Sequence, residues 1–196
     1  MQAETHSRSM RKQGRASSSA ALLVLIVLIA LMATACGTPQ SSSATPAPSA
    51  DELHGPLQPV TVSDMDLAVG QTLYVPAYSQ IFSGDAATTF DLTVTLSIRN
   101  TDLTNPIIIR SIHYYDSAGQ LVREYVEAPL ELAPMGTSEV VIAGPDRTGG
   151  TGANFIVEWG APQPVHEPVV EALMVSTAAQ QGLSFLTEAR VLEETP

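Results

Sequence analysis

The run "FDLTVTLSIRN", Phe90 to Asn100, constrains the fold more than any other stretch of the chain. Phe90, Leu92, Val94, Leu96 and Ile98 alternate with Asp91, Thr93, Thr95, Ser97 and Arg99. Successive side chains of a strand point to opposite faces, so a period of two predicts a strand with one buried and one wet face. The following "PIIIRSIHYYD" is rich in β-branched and aromatic residues. Its apolar residues fall on both faces, which predicts a more central strand. In "DSAGQ", Asp116 starts a turn and Gly119 takes a positive φ. "LVREYVEAPLEL" then completes a hairpin.

Further strands are predicted at "TLYVPAY", "SEVVIA", "NFIVEW", "VEALMVS" and "LSFLTEARV", with a turn at "APMG" where Pro134 presets φ. "PVVEALMVSTAAQQG" is too evenly apolar for a helical face and reads as a strand followed by a helical turn. Eight or so short strands with frequent turns predict an all-β antiparallel sandwich, immunoglobulin-like or similar, over residues 60–194. About 135 residues suffice for a two-sheet core. The chain has one cysteine, so packing alone must hold the sheets together.

The first 35 residues belong to no fold. "HSRSMRKQGR" is basic, "AALLVLIVLIALMATA" is a short apolar body, and small residues close it. That is the pattern of a signal peptide, and the apolar body is shorter than the roughly 20 residues that span a bilayer. The body ends in "LMATAC", which resembles a lipobox and places Cys36 where a bacterial lipoprotein carries its lipid. Ala33 stands where that pattern prefers leucine. "ATA" is also an A-x-A cleavage signal, which leaves free secretion as the alternative. Lipidation accounts both for the single cysteine and for its position.

Residues 36–59, "CGTPQSSSATPAPSADELHGPLQP", are dominated by Ser, Thr, Pro and Ala. They read as a lipidated cysteine and a flexible tether, with a reach of roughly 25 Å. Four of the nine basic residues and one of the twenty acidic residues precede Cys36. Five arginines and no lysine then face nineteen carboxylates. Such a surface repels polyanions, so no nucleic-acid partner is expected.

The stretch that most resembles a ligand loop is "GPDRTGGTGANFIVEWG". It lacks the lysine of a phosphate-binding loop, and a strand follows it instead of a helix. It reads as a mobile glycine-rich strand connection. His54, His113 and His166 are too scattered for zinc, and "HEPVVE" has a proline and no second histidine. The Asp- and Asn-rich loops lack EF-hand spacing. Ser79, His113 and Asp116 supply the residue types of a triad, without a G-x-S-x-G elbow. No catalytic residue, metal or cofactor is therefore expected. Tyr74, Tyr78, His113 and Tyr115 form a candidate interaction patch, because amphipathic aromatics suit interfaces. Together with Tyr114 and Trp159 they suit core and edge packing better than an interface.

The stretches "LYVPAYS", "LSIRNTD", "IIIRSIHYYDSAGQLV", "GGTGANFIVEW", "EPVVEALMV" and "QGLSF" occur in one order over about Leu73 to Val191. On these residues the chain resembles a bacterial family known as domain-of-unknown-function family 3124. The resemblance implies membership and transfers no mechanism. The resulting expectation is an exported, lipid-anchored protein at a cell or outer membrane, carrying a non-catalytic binding or structural module. Its partners would be the membrane, through the anchor, and an envelope protein or small ligand. A cell-envelope hydrolase and a soluble exported or periplasmic carrier are the alternatives.

Overall fold

The alternation that opens at Phe90 does form strand, but the chain changes sheets in the middle of it. A computed structural model describes residues 53–61, 67–177 and 182–195. The expected signal segment and Cys36 lie outside the described residues. Strand β5 (Asp85–Asp91) pairs with β4 (Gln80–Ser83) as a separate two-stranded ribbon. The chain breaks at Leu92 and resumes as β6 (Thr93–Arg99). Leu92, Val94, Leu96 and Ile98 are buried as the pattern requires. Phe90 is 37% exposed, because its strand belongs to the ribbon and not to the core.

The remaining strands are β1 (Leu53–His54), β2 (Leu57–Pro59), β3 (Val69–Pro76), β7 (Ile107–Tyr115), β8 (Leu121–Glu124), β9 (Leu130–Leu132), β10 (Thr137–Ile142), β11 (Asn154–Ala161), β12 (Val169–Ser176), β13 (Leu183–Glu188) and β14 (Arg190–Thr195). Two antiparallel sheets result. A five-stranded sheet runs β1-β10-β6-β12-β13. A seven-stranded sheet runs β14-β3-β11-β7-β9-β2, with β8 also on β7. The fold is an all-β antiparallel sandwich.

Inward residues of both sheets form one core. Leu96, Ile98, Val140, Ala172 and Met174 come from the five-stranded sheet; Val75, Ile112, Tyr114, Phe155 and Val157 come from the seven-stranded one. β7 is central, paired to β11 on one side and to β8 and β9 on the other. That position explains why "PIIIRSIHYYD" is apolar on both faces.

Two expected boundaries move. Sheet pairing begins inside the expected tether, since Leu53 pairs with Val140 and Leu57 with Leu132. Gly55, at φ +131, links β1 in one sheet to β2 in the other. Pro59 is tolerated because β2 is an edge strand, where its missing N–H faces no neighbour. "LSFLTEARV" is likewise two strands, β13 and β14, divided at Ala189 between the two sheets. The expected helical turn after β12 falls partly on residues 178–181, outside the described residues.

Candidate functional site

The alternation of β3 puts Leu73 and Val75 into the core and leaves Thr72, Tyr74 and Pro76 on the outer face of the seven-stranded sheet. Cross-strand register then builds a row. Tyr74 lies between Arg190 of β14 and Ile156 of β11. Ile156 pairs with His113 of β7, and His113 with Glu124 of β8. The row Arg190–Tyr74–Ile156–His113–Glu124 thus crosses five strands. His113 Nε2 lies 3.3 Å from Glu124 Oε1. The rings of His113 and Tyr115 meet edge to face with centroids 6.3 Å apart. Tyr74, His113, Tyr115 and Ile156 are half-buried, so they present area without belonging to the core.

Tyr78 does not join them. β3 ends at Pro76, two residues before Tyr78. The Tyr78 ring packs edge to face on Phe185 of β13, with centroids 5.8 Å apart. Tyr114 and Trp159 are buried in the core, where packing accounts for them.

Ser79, His113 and Asp116, the residue types of a triad, are each bonded to other groups. Ser79 Oγ is buried and donates to the Gly150 carbonyl at 3.0 Å. Asp116 Oδ1 accepts the N–H groups of Ala118 and Gln120 and so shapes the β7–β8 turn. His113 is engaged with Glu124. Among the described residues no group of three or more His, Cys, Asp and Glu side chains could hold a metal ion.

The glycine-rich loop connects β10 to β11, as its composition predicts, and is bonded to several other elements. Residues 150–152 form a single 3-10 turn. The Ser117 N–H and Oγ both donate to the Gly149 carbonyl at 3.0 Å, and Ser117 Oγ accepts from the Gly152 N–H at 2.8 Å. The Ser79 N–H reaches the Gly150 carbonyl at 3.2 Å. Arg123 pairs with Asp146 at 3.2 Å and Arg147 with Asp91 at 2.8 Å. Burial pulls the Asp146 carboxyl upward, but bonds from Thr148 and the Arg123 charge outweigh it and hold the group below its ordinary range. Arg147, and after it Gln80, holds Asp91 low. The loop closes one end of the sandwich over Tyr114. Burial pushes that phenol up to about 12. Its Oη has no hydrogen-bond partner of acceptable geometry: the nearby Ser79 hydroxyl favours the ionised form but is directed at Gly150.

A family model described as a protein of unknown function, DUF3124, matches residues 70–192. The chain belongs to this family. No curated protein and no solved structure matches the chain. The DUF3124 match begins at the second residue of β3 and ends within β14, so it contains every residue of the outer row and the whole glycine-rich loop. β1 and β2 precede it. Within the DUF3124 domain, Ile156, Glu124 and Arg190 are members of the row that sequence reasoning missed. Their place follows only from register, which a single-strand pattern does not carry.

Proposed function

We propose that this DUF3124 protein is a membrane-tethered lipoprotein whose sandwich is a non-catalytic binding or structural module at the cell envelope. The tether reading is supported by the sole Cys36 at the end of a basic and apolar leader. The binding reading is carried by the outer row through Tyr74, Ile156 and His113, which exposes amphipathic aromatics on the outside of a sheet. Tyrosine and histidine rings there offer contact area at little entropic cost, and their polar tips keep hydrogen bonds in water or with a partner. The partner that fits is a protein or small ligand, because five arginines against nineteen carboxylates after Cys36 repel nucleic acid.

A photo-crosslinking side chain placed at Tyr74 in cells tests this. Amine-directed reagents are unsuited, since no lysine follows Lys12. One discrete adduct at Tyr74, lost on His113→Ala and absent when the same group stands at Glu139 on the other sheet, is expected. Equal adducts at both positions, or none at Tyr74, contradict the assignment of this face.

A further inference from the structure

At the end of the sandwich away from the glycine-rich turn lies a recess of about 160 Å³. It sits between the start of β3, the end of β11, the end of β14 and the segment joining β11 to β12. Gln71 and Trp159 line it with Val69 and Val165, and Glu167 and Glu194 bring two exposed carboxylates to it.

Gln71 is 7% exposed, and its Oε1 accepts the Trp159 Nε1–H at 3.2 Å. An indole nitrogen only donates, so the bond fixes which end of the amide is oxygen. The free end is the –NH₂ group. Among the described residues none accepts from it, and it is not sealed from solvent. Water meets this donor through the recess, and a solute oxygen that enters can take its place.

The wall opposite is fixed in advance. Thr101 Oγ1 donates to the Glu167 carbonyl at 2.7 Å, and the His166 N–H donates to Asp102 Oδ2 at 3.1 Å. Val165 and Glu167 are therefore held on a pinned segment. The recess offers an orphan donor, apolar sides and two negative charges. A divalent cation does not fit, because Gln71 presents nitrogen and only two carboxylates remain. At about 30 Å³ per water the volume equals about five waters, the size of a compact solute.

We propose that this recess binds a small free amino alcohol. The hydroxyl oxygen accepts from Gln71 Nε2, the ammonium lies beside Glu167 and Glu194, and the carbons pack on Val69, Val165 and Trp159. A phosphorylated headgroup is disfavoured by the same carboxylates. This site is built from β3, β11 and β14 of the seven-stranded sheet with the β11–β12 connection, and shares no residue with the outer aromatic row.

Trp159 is the only tryptophan and lines the recess, so its fluorescence reports on binding there. The full chain is titrated with ethanolamine, ethylamine, ethylene glycol and phosphoethanolamine. Ethanolamine is expected to give a saturable change, with ethylamine and ethylene glycol each about tenfold weaker because each lacks one charge-assisted or amide contact. Phosphoethanolamine is expected to bind no better than ethylamine. Glu194→Gln, at an exposed position, should weaken ethanolamine about tenfold. Gln71→Leu should remove the preference for ethanolamine over ethylamine, and Glu139→Gln should change nothing. The proposal is overturned by no saturable change, by equal response to ethylamine and ethanolamine, or by an inert Glu194→Gln. Tighter binding of phosphoethanolamine overturns it in favour of a lipid headgroup. If Gln71→Leu does not fold, the ligand comparison and Glu194→Gln still decide.

Discussion

The Tyr114 hydroxyl occupies the space where a side chain at position 149 would begin: a Cβ on Gly149 would lie 1.9 Å from Tyr114 Oη. It would also meet Tyr114 Cζ at 2.6 Å and Ala153 Cβ at 2.7 Å. The first glycine of the "GG" pair therefore admits a core tyrosine beneath the loop; it does not serve a phosphate. Gly149→Ala should cost about 1–3 kcal/mol as overpacking. Tyr114→Phe alone should be close to neutral, since it deletes a buried hydroxyl with no partner. Combined, Tyr114→Phe should recover part of the loss, because the 1.9 Å contact goes while the 2.6 Å contact to the ring carbon stays. Urea unfolding of the three variants checks this. A neutral Gly149→Ala would mean that the loop does not rest on Tyr114.

Leu96 and Thr95 are neighbours on opposite faces of β6. Leu96 is fully buried in the sandwich core. Thr95 lies on the outer face between Val141 of β10 and Leu173 of β12. Leu96→Ala should cost about 2–5 kcal/mol. Thr95→Ala should cost about 0.5 kcal/mol. Equal costs in urea unfolding, or the reverse order, would contradict the register.

What was legible in the sequence is what a strand repeats locally. Val94, Leu96 and Ile98 carry period two, and Asp116 with Gly119 carries a turn, so β6 and the β7–β8 hairpin were readable. What depends on pairing across distance was not. The end of the tether looked disordered because "GPLQP" is poor in large apolar residues, yet β1 and β2 gain order from edges that other strands supply. The glycine loop looked mobile because its anchors, Ser79, Ser117, Arg123 and Asp91, sit on other elements. Tyr78 lies beyond the end of β3 at Pro76, and its ring packs on Phe185 of the other sheet. Gln71 and Trp159 lie 88 residues apart, and only the β3–β11 register brings them together.

Asp102 should make the fold sensitive to acid. Its carboxylate accepts the N–H groups of Thr104, Asn105 and His166, which hold its pKa well below the ordinary carboxylate range. A carboxyl depressed in the folded state contributes stability that is complete above its unfolded value. That stability is lost as pH falls through the folded one. Asp91 and Asp146 act in the same direction. Unfolding free energy should therefore hold steady down to about pH 5 and decline from about pH 4 downward. Asp102→Asn should be less stable at neutral pH and should show a shallower decline. Parallel curves for the two proteins would show that Asp102 is not linked to folding.

The most direct test of the account is the intact mass of the protein purified from its own membranes, before and after an amine-specific label. The chain is predicted to begin at Cys36 with a lipid on its sulfur. Because no lysine follows Lys12, it should take no label if the Cys36 amine is acylated and one if it is not. Cys36→Ser should remove the lipid mass. Two labels, from Lys12 and a retained N-terminus, would contradict a cleaved lipoprotein, and one label on an unlipidated Cys36 would make the protein a secreted one.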